Sequence, residues 1–116
     1  MTTFFRGVVV QGPQRGTALG FPTINITLND TTVSGVYAAR VSLNRKIYAA
    51  AAFADQKRNL LEAYILDFSG NVYGKKVSVK LEKKIREAQF FDNDAALRAA
   101  IASDVTVVRE YFNKKA

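Results

Sequence analysis

The residues able to do chemistry in this chain fall in three places. The first is "GPQRGTALGFPTIN", Gly12 to Asn25, with glycines at a spacing of four (Gly12, Gly16, Gly20). It lacks the Gly-Lys-Ser/Thr ending of a Walker loop and the Gly-x-Gly-x-x-Gly of a dinucleotide fold. Its backbone N–H groups could still wrap phosphate oxygens, with Arg15 as an added cation. Thr23 and Asn25 follow two residues apart on an alternating stretch, so a hydroxyl and a carboxamide share one face. Both are hard, neutral oxygen ligands of the kind magnesium accepts when phosphates supply the negative charge. Pro22 fixes the backbone angle just before them. The bland alternative is a glycine-bent strand whose Thr and Asn face water.

The second place is Glu62, within "LLEAYILDF". A lone acid in an apolar strand is costly to bury unless it is paired or functional. The chain has no histidine and no cysteine. A thiol nucleophile, a Cys/His zinc site and a His-based triad are therefore excluded, and Glu62 is the best candidate for a general base. An outward-facing residue on a half-exposed strand is the alternative. The third place is "IREAQFFDND", where Arg86 and Phe91 could clamp a planar ligand or simply plug a joint. Asp104, one position off a helical stripe, is open in the same way.

These groups need elements to hold them. "FFRGVVVQG" (4–12), "PTINITL" (22–28), "GVYAARVSL" (35–43), "IYAAAAFA" (47–54), "LLEAYILDF" (60–68) and "VYGKKVSVKLEKKI" (72–85) read as strands separated by turn residues. In the second of these, Ile24, Ile26 and Leu28 alternate with Thr23, Asn25 and Thr27. The run of alanines predicts an open surface on both faces of its strand. From Asp94 the period changes. Leu97, Ile101, Val105, Val108 and Phe112 make one stripe of an amphipathic helix, with Asp92 or Asn93 as cap and Lys114 and Lys115 at its negative end. Five or six antiparallel strands and one helix predict a small closed or nearly closed β-barrel with the helix packed on it.

With 116 residues, 48% of them hydrophobic, the expectation is one domain spanning 1–116 with a self-sufficient core. Seventeen Lys and Arg against ten Asp and Glu give +7, which suits a nucleotide phosphate, a nucleic acid or no more than a solubilising surface. No signal peptide or membrane-length apolar run is present, so a cytoplasmic protein without membrane contact is expected, as a monomer. The rival functional class is a basic barrel that stacks single-stranded nucleic acid on Phe4, Phe5, Tyr37, Tyr48, Phe53 and Tyr64. Core packing explains those aromatics more cheaply, and no nucleic-acid partner is expected.

The segments "GVVVQGPQRGTALGFPTINI", "SGVYAARV", "LLEAYILDFSGNVYGKKVSV" and "IREAQFFDNDAALRAAIASD" together resemble the riboflavin kinase family, over nearly the whole chain. The resemblance implies a six-stranded antiparallel barrel with a C-terminal helix, and transfer of the γ-phosphoryl of ATP to the ribityl 5'-hydroxyl of riboflavin, giving FMN and ADP. It implies Mg2+ on Thr23 and Asn25, and Glu62 as the catalytic glutamate. It implies a phosphate flap of Gly12, Arg15, Gly16, Thr17, Leu19, Gly20, Phe21 and Pro22, with Val72 and Tyr73 beside the adenine. Arg86, Phe91 and Asp104 fall on the flavin side. A binding relic without turnover is the alternative within this resemblance. Two departures fall on that flavin side. The Gly-x-x-Pro-Thr segment expected before the catalytic strand is missing from "AAAAFADQKRNLLE", where only Ala51 to Asn59 can take its place, and Ala88 stands where a glutamate is usual. The metal and base positions are intact, and the shortened loop predicts a more exposed flavin ring with weaker binding.

Overall fold

The computed structural model describes residues 3–115; of Arg15, Gly16 and Lys115, which carry two flap assignments and one helix-end assignment, only the backbone is described. Six strands form: β1 (Thr3–Val8), β2 (Ile24–Thr27), β3 (Gly35–Leu43), β4 (Lys46–Asp55), β5 (Leu60–Ile65) and β6 (Lys76–Arg86). A single helical turn, α1 (Arg15–Ala18), interrupts the glycine stretch, and α2 (Asp94–Lys115) ends the chain. All strand pairs are antiparallel, in the order β1-β6-β3-β4-β5-β2. Alternation turns Ile26, Val41, Leu61 and Val79 to one shared interior, where each is essentially sealed from solvent.

The sheet curls until its edges, β1 and β2, meet. Gly7 makes the approach close, since a Cβ there would lie 3.2 Å from Ile26 Cβ. Yet no ladder joins these edges. One isolated bridge, Val10 with Asn25, and one hydrogen bond from Val10 N–H to Asn25 C=O (2.8 Å) span the gap. The barrel is therefore nearly closed rather than fully closed.

Four expected strands fall short of the expected bounds, the second (22–28) reduced to Ile24–Thr27. The first stops at Val8, because residues 9–12 leave β1 to cross over Asn25. The fifth stops at Ile65, where Asp67 takes a left-handed backbone (φ 56°). The sixth begins at Lys76, because 72–75 form a reverse turn: Lys75 N–H donates to Val72 C=O (3.0 Å), and Gly74 supplies φ +82°. The alanines also differ from expectation. Ala50, Ala52 and Ala54 are buried in the interior, and Ala49 and Ala51 lie partly covered against the helix layer. Small residues there bring a helix close to the sheet on one face and leave room for large aliphatics on the other.

The helix begins where the sequence indicates. Asn93 Oδ1 accepts from Ala96 N–H (2.8 Å), so Asn93 and not Asp92 is the cap. Its C-terminal half docks: Val108 is fully buried against Ala38 and Leu66, flanked by Val105, Tyr111 and Phe112. Tyr111 OH donates to Glu82 (3.1 Å), which also pairs with Arg40 (2.8 Å). No helix among the described residues is long and apolar enough to cross a membrane. Asn93→Ala should lower stability by about 1 kcal/mol, as loss of an N-cap does. Thermal unfolding followed by circular dichroism checks this.

Candidate functional site

The β2–β5 ladder decides the site. Its register sets Asn25 directly opposite Glu62, on the face turned away from the barrel interior, while Ile26 opposite Leu61 faces inward. The expected alternation of Thr23 and Asn25 against Ile24 and Ile26 is therefore the one observed. Asn25 is nonetheless buried (5% exposed), because the crossing strand covers it. A Cβ on Gly12 would overlap the Asn25 carboxamide, so only glycine permits the crossing there. Asn25 Oδ1 ends up sealed with no hydrogen-bond partner among the described residues. An orphaned carbonyl oxygen of this kind is costly unless something binds it.

Glu62 is half-buried, and its carboxyl is pushed up to about 6. Burial is the main cause. Asp55 adds to it by charge and hydrogen bonding, while Arg58 and the Thr23 hydroxyl oppose it. A carboxyl held there can take up a proton and release it near neutral pH.

Two hollows flank this pair. An apolar cavity of about 220 Å³ has Glu62, Asp55 and Arg58 at one end and Arg86, Asp104 and Gln89 among its other polar groups. Phe21 and Tyr64, in edge contact with centroids 5.4 Å apart, line it together with Ala51, Phe53, Leu97 and Ile101. A more open, more polar cleft of about 480 Å³ lies on the other side. Gly12, Thr17, Asn25, Val72 and Tyr73 contribute to its wall. Thr23 lines both hollows. Thr23 is thus the residue the two spaces share, with Asn25 in the cleft wall and Glu62 in the cavity wall.

The remaining predicted residues divide. Thr17 and Gly20 are exposed, Phe21 is in the cavity wall and Pro22 is on the surface beside it. Leu19 is buried and lines neither hollow. Val72 is largely buried in the core while touching the cleft, and Tyr73 is 62% exposed there. Arg86 and Asp104 reach the cavity as a two-pronged ion pair, Nε–Oδ1 and Nη2–Oδ2 both 2.8 Å. This pair fastens α2 to the end of β6 as well as presenting polar atoms. Phe91 stacks on the Arg86 guanidinium (5.6 Å) and does not itself line the cavity.

Sequence reasoning missed Asp55, Arg58, Leu97 and Ile101. The last two belong to the helix stripe, but the helix leaves its first turns undocked and turns them into cavity wall. Asp55 reads as a turn residue in sequence. Only the hairpin brings it against Glu62.

The sequence pattern of the flavokinase family, riboflavin kinase, matches residues 1–112. The chain belongs to the riboflavin kinase family. That family is one of ATP-dependent kinases. A bifunctional riboflavin kinase/FMN adenylyltransferase from Buchnera aphidicola (subsp. Schizaphis graminum) is 36% identical over 118 residues, covering 92% of this chain and 38% of that protein. The chain thus spans under two fifths of the length of this relative. The crystal structure of riboflavin kinase from Trypanosoma brucei superposes with a TM-score of 0.69 at 32% identity, over 97% of this chain and 81% of that one. A structure titled as a macrolide-efflux protein from Streptococcus pneumoniae gives a TM-score of 0.80 at 32% identity, over 91% of this chain and 38% of that one.

The raised Glu62 carboxyl has a consequence for stability. Its proton is held more tightly in the folded state than in the unfolded chain, whose ordinary value is 4.5. Below pH 4.5 both states are protonated and Glu62 costs nothing on this account. Between 4.5 and about 6 the unfolded chain ionises first, so stability falls as pH rises, and above 6 the cost is complete. Glu62→Gln should therefore be more stable than the native chain at pH 8 by about 1 kcal/mol, after allowance for solvent screening, and no more stable at pH 4. Urea unfolding at the two pH values checks the sign.

Proposed function

We propose that this chain transfers the γ-phosphoryl of ATP to the terminal ribityl hydroxyl of riboflavin, with the nucleotide in the polar cleft and the flavin in the apolar cavity. The observation that carries this reading is that the two hollows share Thr23 as wall, with Asn25 on the cleft side and Glu62 on the cavity side. An acceptor hydroxyl in the cavity then lies beside a base and faces a phosphate across one residue.

A magnesium ion fits the donor set. Asn25 Oδ1 is a buried oxygen in want of a partner, and the Thr23 hydroxyl is its neighbour on the same face. No cluster of three acidic, His or Cys residues able to hold a metal exists among the described residues. Two neutral oxygens hold such an ion only together with phosphates, so metal and nucleotide would bind as one unit. The ion, when bound, would supply charge neutralisation on the phosphate oxygens.

The chain's own residues do the rest. Glu62 takes the proton of the acceptor hydroxyl as its oxygen bonds to the γ-phosphorus and the bond to the β–γ bridging oxygen breaks, leaving ADP. Catalysis of this kind rests mainly on position and charge. The backbone at Gly12 and the flap beside Thr17 frame the phosphates, and Tyr73 offers an exposed aromatic face to the base. Phe21, Tyr64, Leu97 and Ile101 give the flavin ring its apolar wall and keep water from the reacting hydroxyl.

Incubation with riboflavin, ATP and magnesium, followed by chromatographic separation of FMN, tests the reading directly; absence of FMN would overturn it. Glu62→Gln should lower turnover by roughly 10²–10⁴, the range for loss of a general base. Near-native turnover in that variant would remove Glu62 from the chemistry. Asn25→Ala and Thr23→Ala should weaken Mg-ATP binding, and Gly12→Ala should do the same by displacing the Asn25 carboxamide. Calorimetric titration with Mg-ATP reads all three, and unchanged affinity throughout would return this stretch to a purely structural role.

A further inference from the structure

Asp55 is one of only three buried polar or charged residues among those described, beside Asn25 and Asp104. It is 4% exposed, at the last position of β4. The β4–β5 register pairs Phe53 with Glu62, so Asp55, two residues on, shares Glu62's face as its diagonal neighbour. Both carboxyls line the same cavity, and Asp55 helps to push the Glu62 carboxyl up.

Asp55 is itself tethered. Arg58 donates to it twice, from the backbone N–H to Oδ1 (3.2 Å) and from Nη1 to Oδ2 (3.0 Å). The turn carrying both residues is pinned on two sides. Gln56 Nε2 donates to Asp30 C=O (2.8 Å) and to Val33 C=O, and Leu28 N–H donates to Asn59 C=O (2.8 Å). A buried acid held beside another acid carries a local cost, which Arg58 offsets on the Asp55 side. The groups around Glu62 come from several elements. Thr23 approaches from the lead-in to β2, Asn25 from β2, Asp55 from β4 and Arg58 from the turn. Arg86 and Asp104, also in the cavity wall, are satisfied by each other.

We infer that Asp55, locked by Arg58, is a positioning residue that fixes the Glu62 side chain in the rotamer facing the acceptor end of the cavity. The inference rests on the kinase reading above for its kinetic consequence, but not for its structural one. Without Asp55, Glu62 has freedom to swing along the cavity wall, and the base is misplaced from the hydroxyl while both substrates still bind.

The experiment combines turnover with side-chain NMR on the full chain. Asp55→Ala should lower kcat roughly 10²-fold, as small misplacement of a reacting group does, with KM for riboflavin and Kd for Mg-ATP unchanged. Asp55→Asn retains an oxygen for Arg58 and an N–H₂ for Glu62, and should restore most of kcat. Three-bond couplings between the Glu62 α and β protons should report one fixed rotamer in the native chain and averaging in Asp55→Ala. A drop in kcat with the Glu62 rotamer still fixed, or a native kcat, overturns the inference. So does an equal loss of Mg-ATP affinity, which a general weakening of the hairpin would produce. Should Asp55→Ala not fold, Arg58→Gln untethers the carboxyl without removing it, and kcat should fall roughly tenfold, as for loss of an outer partner; a native kcat there is equally fatal. If the native chain forms no FMN, the kinase reading fails, while the couplings still decide whether Asp55 fixes Glu62.

Discussion

The pairing of β2 with β5 is the constraint on which the rest depends. One rung of that ladder sets Asn25 opposite Glu62, and the fixed spacing of an antiparallel pair does what no loop could do as reliably. A slip of one residue would turn both side chains into the barrel interior and bring Ile24 and Ile26 out. The apolar core formed by Ile26 and Leu61 resists that slip. Core packing and site geometry are thus the same register, seen from the two faces of one sheet.

The helix contributes by docking only in part. Its C-terminal half is tied down through Val108, the Tyr111–Glu82 contact and the Arg109–Asp67 pair (2.9 Å). Its N-terminal half is held off the sheet, with Leu97 and Ile101 facing the cavity and the Arg86–Asp104 pair as a strut between. An amphipathic stripe longer than its docking surface leaves apolar wall free for a ligand. The alanines of β4 deepen this space, because Ala51 fills little of it.

Both candidate site groups carry a cost in the chain by itself. Asn25 Oδ1 is buried without a partner, and Glu62 is ionised against burial and a neighbouring acid. Bound nucleotide, metal and acceptor would relieve each, so ligand binding and folding are coupled at this rung. Asp55 adds a third buried group to the same few residues. Concentrating unfavourable polar burial at one place, inside a core that is otherwise apolar, is how a stable barrel accommodates a reactive site.

The sequence by itself determined the order of the six strands and the C-terminal helix but not the turn α1, the alternation of Thr23 and Asn25 against Ile24 and Ile26, the place of Glu62 as an acid within an apolar run, and the exclusion of thiol and imidazole chemistry. These depend on local period and composition, which survive without knowledge of partners. The family resemblance added the roles of Thr23, Asn25 and Glu62, which lie within contiguous motifs. Tertiary structure decided what depends on crossings between distant segments. Gly12 lies on Asn25 because the barrel's two edge strands meet there. Arg86 and Asp104, eighteen residues apart, are revealed as a pair only once the helix folds back over the sheet. The alanines proved to be core on one face and cavity floor on the other, a distinction that period two cannot make when both faces carry the same residue. Asp55 faces Glu62 because a hairpin register places it there, and no local pattern distinguishes it from the turn acids elsewhere in the chain.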